Sequence, residues 1–396
     1  FSISNGNAFV LNGKKMLIRG INRHQDMEGV GYALSNEQHR KDVEIIKEAG
    51  FNFIRHAHYP GDPEFVRACD ELGLMLWLEI PLTGSTSEDP AFAENCKSQL
   101  KEMIEQNYNN PSVILWGIGN ESDRSGGGEA ASNKLFGELA AMAKSMDKTR
   151  TTTGCNWQYE SNQERVDVYA PQDWAGWYFG AISGYEPDSL IGEYGCSIHY
   201  PMHSEEAFDV ETDYGAGGRP DFWSQEYGAL LHEYKISKGE SQSDAFPGHC
   251  VWVAFDFASP RLGRGSNPIP YMNQKGLLLH DHKTKKDVYY LYQSMYRDAA
   301  DYPMVYIVSE SWKDRWTEPG KKDVWVYSNC DTVELFNDRG TVSFGKRTKT
   351  AGPRGDTRFQ WDDVDVQYNV LHAVGYADGA NVAEHTIVLD HLPSLR

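Results

Sequence analysis

Eight apolar runs of strand length recur along the first three quarters of the chain, separated by stretches with the apolar spacing of amphipathic helices. That alternation is the signature of parallel β/α units. The runs are Leu17–His24, Phe51–His58, Leu74–Pro81, Val113–Glu121, Arg150–Asn156, Val166–Asp173, Leu190–Gly195 and His249–Asp256. Helical spacing falls at Glu37–Ala49, Pro63–Leu72, Glu94–Tyr108, Asn133–Met146, Asp221–Ile236 and Asp287–Arg297. Gly50 and Gly73 each end a helical pattern just before a strand, where a helix stop belongs. Eight such units predict an α/β fold, a (β/α)8 TIM barrel over residues 1–300. Beyond residue 300 the period shortens to alternating strands at Val324–Tyr327, Val333–Phe336, Val364–Tyr368 and His385–Leu389. Turn signals at Asn337–Gly340, Pro353–Gly355 and Asp378-Gly379 separate them, so residues 301–396 read as a smaller, immunoglobulin-like β-sandwich domain.

Charge narrows the partners. The chain has 57 acidic and 38 basic residues, a net charge of −19, and such a surface repels nucleic-acid phosphates and anionic lipid. Residues 301–396 carry 15 acidic and 11 basic side chains, which leaves 42 and 27 upstream. The excess carboxylate therefore belongs mostly to the predicted barrel. Six cysteines without any C-x-x-C pair argue against a zinc ribbon and read as buried free thiols. No run approaches the length of a membrane span and no basic-then-apolar leader opens the chain, so nucleic acid and membrane are not expected partners. Compartment and oligomeric state stay open. The abrupt strand-turn-strand from Ala8 to Ile18 suggests a fragment whose N-terminal part is missing.

In a barrel of this type the chemistry sits at the C-terminal ends of the strands. Those ends carry His24, Arg55, His58, Glu79, Asn120, Glu121, Asn156, Asp173, Glu193, Trp252 and Asp256. Glu121 closes the continuous apolar strand Val113–Gly119, and burial on both faces does not explain an Asn-Glu pair at its exit. Glu193 holds the equivalent place on the seventh strand. Two carboxylates in one barrel mouth suit glycoside hydrolysis, where one protonates the leaving oxygen and the other meets the anomeric carbon.

The motifs Ile18–His24, Asn52–Pro60, Trp116–Ser122, Gly192–Gly195, Trp223–Tyr227, Val251–Phe257 and Asn273–Gly276 together resemble glycoside hydrolase family 2, in the right order across the whole barrel. The resemblance implies that Glu121 is the general acid/base and Glu193 the nucleophile of a retaining mechanism. It implies that Arg55 keeps Glu193 ionised, that Asn120 meets the sugar 2-OH, and that His24 and His58 line the sugar pocket. Trp252 then resembles the aromatic platform for a pyranose face. Glu226 also precedes Tyr-Gly, but its helical setting ranks it far below Glu193 as nucleophile.

The sequence departs from the family at the sixth strand, where Gln172-Asp173-Trp174 replaces a common Asn-[Arg/Lys]-Tyr. Trp174 thus stands for the family tyrosine beside the nucleophile, and Asp173 for a base. After the third strand, Leu82–Ser85 lacks the Glu-x-His that binds Mg²⁺ in some members, so no metal or other cofactor is expected. The usual N-terminal sandwich and first immunoglobulin-like domain are not in this sequence. The first reading is a retaining exo-β-glycosidase acting on terminal β-D-galactosides. Asn273-x-Lys275 keeps β-glucuronidase as the alternative, because in glucuronidases such a pair holds the sugar carboxylate. Asp173 argues against an anionic sugar by repulsion and would instead accept hydrogen bonds from sugar hydroxyls. A catalytically silent carbohydrate-binding protein is the reading from another class.

Overall fold

A computed structural model describes residues 2–3, 9–126, 128–155, 165–177, 189–205, 223–240, 246–261, 268–318, 320–350 and 357–395. Among the described residues, eight parallel strands curl into one sheet, β1 (Ile18–Arg23), β2 (Phe53–His56), β3 (Met75–Glu79), β4 (Val113–Gly126), β5 (Thr151–Cys155), β6 (Val168–Tyr169), β7 (Ile191–Tyr194) and β8 (Gly248–Val251), and a short ninth, Thr83–Thr86, pairs in parallel with the outer part of β4. Their order is β6-β5-β4-β3-β2-β1-β8-β7, and a single parallel bridge between Gln172 and Glu193 joins the two ends. Asp173 N donates to Glu193 O and Gly192 N to Pro171 O, both at 2.8 Å, so the closure lies at the mouth of the barrel.

Helices cover the outside: α1 (Asn36–Glu48), α2 (Pro63–Leu72), α3 (Pro90–Asn107), α4 (Gly128–Met146), α5 (Gln225–Glu240) and α6 (Asp287–Tyr296). Ser35, Asp62 and Asp89 cap the first three by accepting an N–H of the opening turn. Asp89-Pro90 explains why α3 starts four residues before the expected Glu94, since proline fits the first helical turn. Gly73 ends α2 in the left-handed region at φ +74°, as the sequence anticipated.

Alternation along the strands builds two layers. Outward residues such as Ile21, Ile54, Leu76, Leu78 and Ile118 join Val43, Ile46, Phe65 and Leu100 of the helices in one apolar cluster. Inward, Ile18, Phe53, Trp77, Leu115 and Cys250 form a second cluster, closed below by Phe9 of the opening hairpin Phe9–Leu11/Lys14–Met16. Higher on the same strands the inward residues turn polar: Asn22, Arg55 and Glu79, all fully buried. Gly117 makes room for them, because a Cβ there would lie 2.2 Å from Trp77 Nε1 and 2.3 Å from Glu79 Cβ. Sequence period thus stacks a polar floor on an apolar plug.

Among the described residues the C-terminal part has seven antiparallel strands: β9 (Val305–Ile307), β10 (Lys322–Ser328), β11 (Thr332–Phe336), β12 (Ser343–Thr348), β13 (Arg358–Val364), β14 (Val370–Ala377) and β15 (Ala380–Val388). They form a β9-β10-β13 sheet and a β12-β11-β14-β15 sheet around a core that includes Val326, Leu335, Trp361 and Leu371. The expected strand at Val364–Tyr368 is instead the exit from β13. There Asn337 Oδ1 accepts from Gln367 N and Tyr368 N, so these amides serve a loop and not a ladder. The Pro353–Gly355 turn and Asn156 lie outside the described residues. No helix among the described residues is long and apolar enough to cross a membrane.

Candidate active site

Arg55 organises the barrel mouth. Rising from β2 with its guanidinium stacked 4.3 Å from the Trp77 ring, it donates to Glu193 Oε1 at 2.8 Å and to both oxygens of Glu79 at 3.2 Å. It also meets Asn120 Oδ1 at 2.9 Å, His58 Nδ1 at 3.2 Å, and Asn22 Oδ1 and Gly192 O at 3.3 Å. A fully buried cation facing two buried carboxylates offsets part of their desolvation cost. Burial pushes the Glu79 carboxyl up, but Arg55 and His58 more than reverse this and hold it below the usual range. His58 Nδ1 lies 2.5 Å from Glu79 Oε1, and its Nε2 lies 3.7 Å from Glu193 Oε1. The imidazole therefore spans the two carboxylates.

Asn120 and Glu121 sit where β4 leaves the barrel. Glu121 is half-buried with φ +49°, a left-handed conformation that costs a non-glycine residue about 1 kcal/mol. Burial, and then Glu193, Glu79 and Glu121 acting against Arg55, push the neighbouring Cys155 thiol far up. Asn120 pairs with Cys155 in register and its Oδ1 meets Arg55, so Glu121, the next residue, leaves β4 at the same mouth.

An aromatic wall stands beside the carboxylates. His58 stacks on Trp252 at 5.2 Å between centroids, and His24 meets Trp252 at 5.4 Å and Phe257 at 4.2 Å. His24 Nδ1 lies 3.1 Å from Tyr59 Oη, and burial, followed by His58, pushes its pKa down to about 3. That shift favours the neutral imidazole as a hydrogen-bonding group. Trp252 is buried, with one ring face against His58.

Phe257 pairs with Asn273 in a two-residue antiparallel ladder, which brings the 273–275 segment to this wall. Asn273 is buried and its Oδ1 has no hydrogen-bond partner among the described residues. Lys275 O accepts from Val253 N at 3.0 Å, and Lys275 Nζ lies 4.3 Å over the Trp177 ring. Trp174 is half-buried against the barrel's apolar cluster, just beyond the closing bridge.

Asp173 differs from its sequence reading as a carboxylate free to repel an anion. Its Oδ2 accepts from Lys235 Nζ of α5, and its Oδ1 accepts from Ala175 N at 3.0 Å. A buried ammonium balances the charge, so the electrostatic objection to an acidic sugar is removed. Lys235 was missed because Leu230 to Ile236 mixes apolar with charged residues, so nothing local marks this lysine as buried. Asn22, Glu79, Cys155 and Gln172 also belong to the mouth. Of these, Glu79 was visible as a strand exit.

Glu226 lies elsewhere, at the junction of α5 with the β-sandwich. It accepts from Ser204 N at 3.0 Å and Ser309 Oγ at 2.8 Å, and lies 2.6 Å from His203 Nδ1. His203, Glu226 and Asp287 form a cluster of metal-ligand types. Tyr306 Oη and Ser309 N donate to Asp287 at 2.6 and 3.0 Å, so each of its oxygens already has a protein partner.

Comparison with known proteins agrees with this architecture. Residues 1–297 match the family described as glycosyl hydrolases family 2, TIM barrel domain, and residues 320–383 match a domain of unknown function, DUF4982. A Formosa agariphila protein provisionally named a beta-glucuronidase is 36% identical over 95% of this chain and 48% of its own length. A beta-galactosidase of Thermoanaerobacter pseudethanolicus is 28% identical over 96% of this chain and 49% of its own. The crystal structure of Parabacteroides merdae beta-glucuronidase superposes with a TM-score of 0.86 at 30% identity, covering 100% of this chain and 52% of that one. The chain spans about half the length of these relatives.

Proposed function

Because this chain belongs to glycoside hydrolase family 2, we propose that it carries the catalytic site of a retaining exo-β-glycosidase, and that its substrate is a terminal β-D-glucuronide. The reading rests on one arrangement, Glu193 held at 2.8 Å by the buried Arg55 in the same barrel mouth as Glu121. An ionised Glu193 attacks the anomeric carbon and forms the glycosyl-enzyme bond while Glu121 gives its proton to the departing oxygen. Glu121 then takes a proton from water, which attacks the same carbon and frees the sugar and Glu193. Arg55 supports the charge of the nucleophile through its 2.8 Å contact with Glu193 Oε1.

Glucuronide is preferred to galactoside on three grounds. The Asp173 charge is balanced by Lys235, so it no longer opposes an acidic sugar. Asn273 and Lys275 offer an amide and an ammonium for a carboxylate, and relatives bearing the glucuronidase name include one at 36% identity. The galactosidase relative keeps the neutral sugar as the second reading. Hydrolysis rates on aryl β-D-glucuronide, galactoside, glucoside and mannoside decide between them. Cleavage of none of the four, with sugar binding intact, would instead favour a silent binding protein.

A further inference from the structure

Asn120 has its side-chain orientation fixed from one end. Its Oδ1 accepts from Arg55 Nη2 of β2, Cys155 Sγ of β5 and Gln172 Nε2 beyond β6, each at 2.9 Å. Flipping the amide would set its NH2 against three donors, so the oxygen stays inward and Nδ2 is the end left for other use. No contact of Nδ2 with the described protein residues competes for it. Arg55 is already committed to Glu193 and Glu79. The two neutral donors are therefore the separable part of the clamp.

Gln172 is well placed for this. Its backbone forms the bridge to Glu193 that closes the barrel, and its side chain reaches across to β4. One buried residue thus ties the strand of the nucleophile to the amide beside the acid/base. Cys155 pairs in register with Asn120, and burial keeps its thiol protonated and hence a donor.

We propose that Gln172 and Cys155 are positioning residues that aim the Asn120 amide nitrogen at a hydroxyl of the bound sugar, so that selectivity for a 2-hydroxylated substrate depends on both. This rests on the glycosidase reading above. It assigns a role to a glutamine that stands where the family commonly has asparagine.

The test compares an aryl β-glycoside with its 2-deoxy analogue on the full chain. Gln172→Met keeps side-chain length and removes the donor. Its kcat/KM should fall about tenfold or more on the parent glycoside and less than about twofold on the 2-deoxy analogue. Cys155→Ala should shift the same ratio in the same direction, and Cys155→Ser, which restores a donor, should recover it. Adding Gln172→Met to Asn120→Ala should change nothing further. Equal losses on both substrates would mark a structural role and overturn the proposal, as would an unchanged ratio. A crystal structure of Gln172→Met supplies a readout independent of turnover: the Asn120 amide should rotate or take up a second orientation. An unmoved Asn120 would also defeat the assignment. Failure of the wild-type chain to cleave any aryl glycoside would count against the glycosidase reading and leave this structural arm to decide.

Discussion

Lys235 of α5 reaches through the barrel wall to Asp173, one residue past the bridge that closes the barrel. Lys235 is buried and Asp173 partly so. Burial pushes the Lys235 ammonium down, and Asp173 acts against it. Removing one partner of such a pair leaves an uncompensated charge, so Lys235→Met should lower folding stability by about 3 kcal/mol. The double variant Lys235→Met/Asp173→Asn should recover most of that loss. Urea unfolding of the wild type and the two variants checks this, and equal stability of the single and double variants would mean that the pair carries no coupling.

Lys275 tests the charge of the sugar. If the substrate carries a carboxylate, Lys275→Ala leaves that anion without its ammonium, which should cost roughly 2–5 kcal/mol in kcat/KM on an aryl β-glucuronide. On the galactoside the same change should matter little. A loss of similar size on both sugars would show that Lys275 supports the wall through Trp177 and does not recognise charge.

The roles of the two carboxylates separate by labelling. Glu193→Gln should abolish turnover and fail to form an adduct with a 2-fluoro glycoside, whereas Glu121→Ala should still be labelled when the leaving group needs no proton. Peptide mapping should find the label on Glu193. Finding it on Glu226, which hydrogen-bonds to Ser204 and Ser309 at the domain junction, would overturn the assignment.

What was legible in the sequence followed periodicity and strand ends. The eight parallel strands and the polar rim that includes Arg55, Asn120, Glu121 and Glu193 could be read because position along a barrel strand specifies which layer a residue enters. Two kinds of information were not local. Asp173 looked like a free carboxylate because its partner Lys235 is 62 residues away on another element. The strands β9, β12 and β14 were missed because Val305–Ile307 is too short to show alternation, Ser343–Thr348 is a polar, largely exposed edge, and Val370–Ala377 is buried at successive positions and so does not alternate. Asn120 could be singled out from its motif, but nothing in the order of residues brings Cys155 and Gln172 to the same oxygen.

Asp287 gives a prediction in pH. It is buried at the start of α6 against Glu226, and burial, followed by that neighbouring carboxylate, raises its pKa from 3.8 to about 6. Glu226 is held below the usual range by His203, once the opposing effect of burial is overcome, so Asp287 is the member of the pair that takes the proton. A carboxyl whose pKa is higher in the folded state stabilises the fold fully below its unfolded pKa, and that contribution is lost as pH rises through the folded value. The wild-type chain should therefore lose up to about 3 kcal/mol from this group between pH 4 and pH 7.5. Asp287→Asn has no proton to lose and should not share that decline. It carries its own penalty at every pH, because an amide NH2 must face either Tyr306 Oη or Ser309 N, two groups that now donate to the carboxyl. The diagnostic quantity is the difference between variant and wild type in urea unfolding, measured at both pH values. That difference should move toward the variant as pH rises, and a difference that stays constant would mean that Asp287 does not titrate across this window.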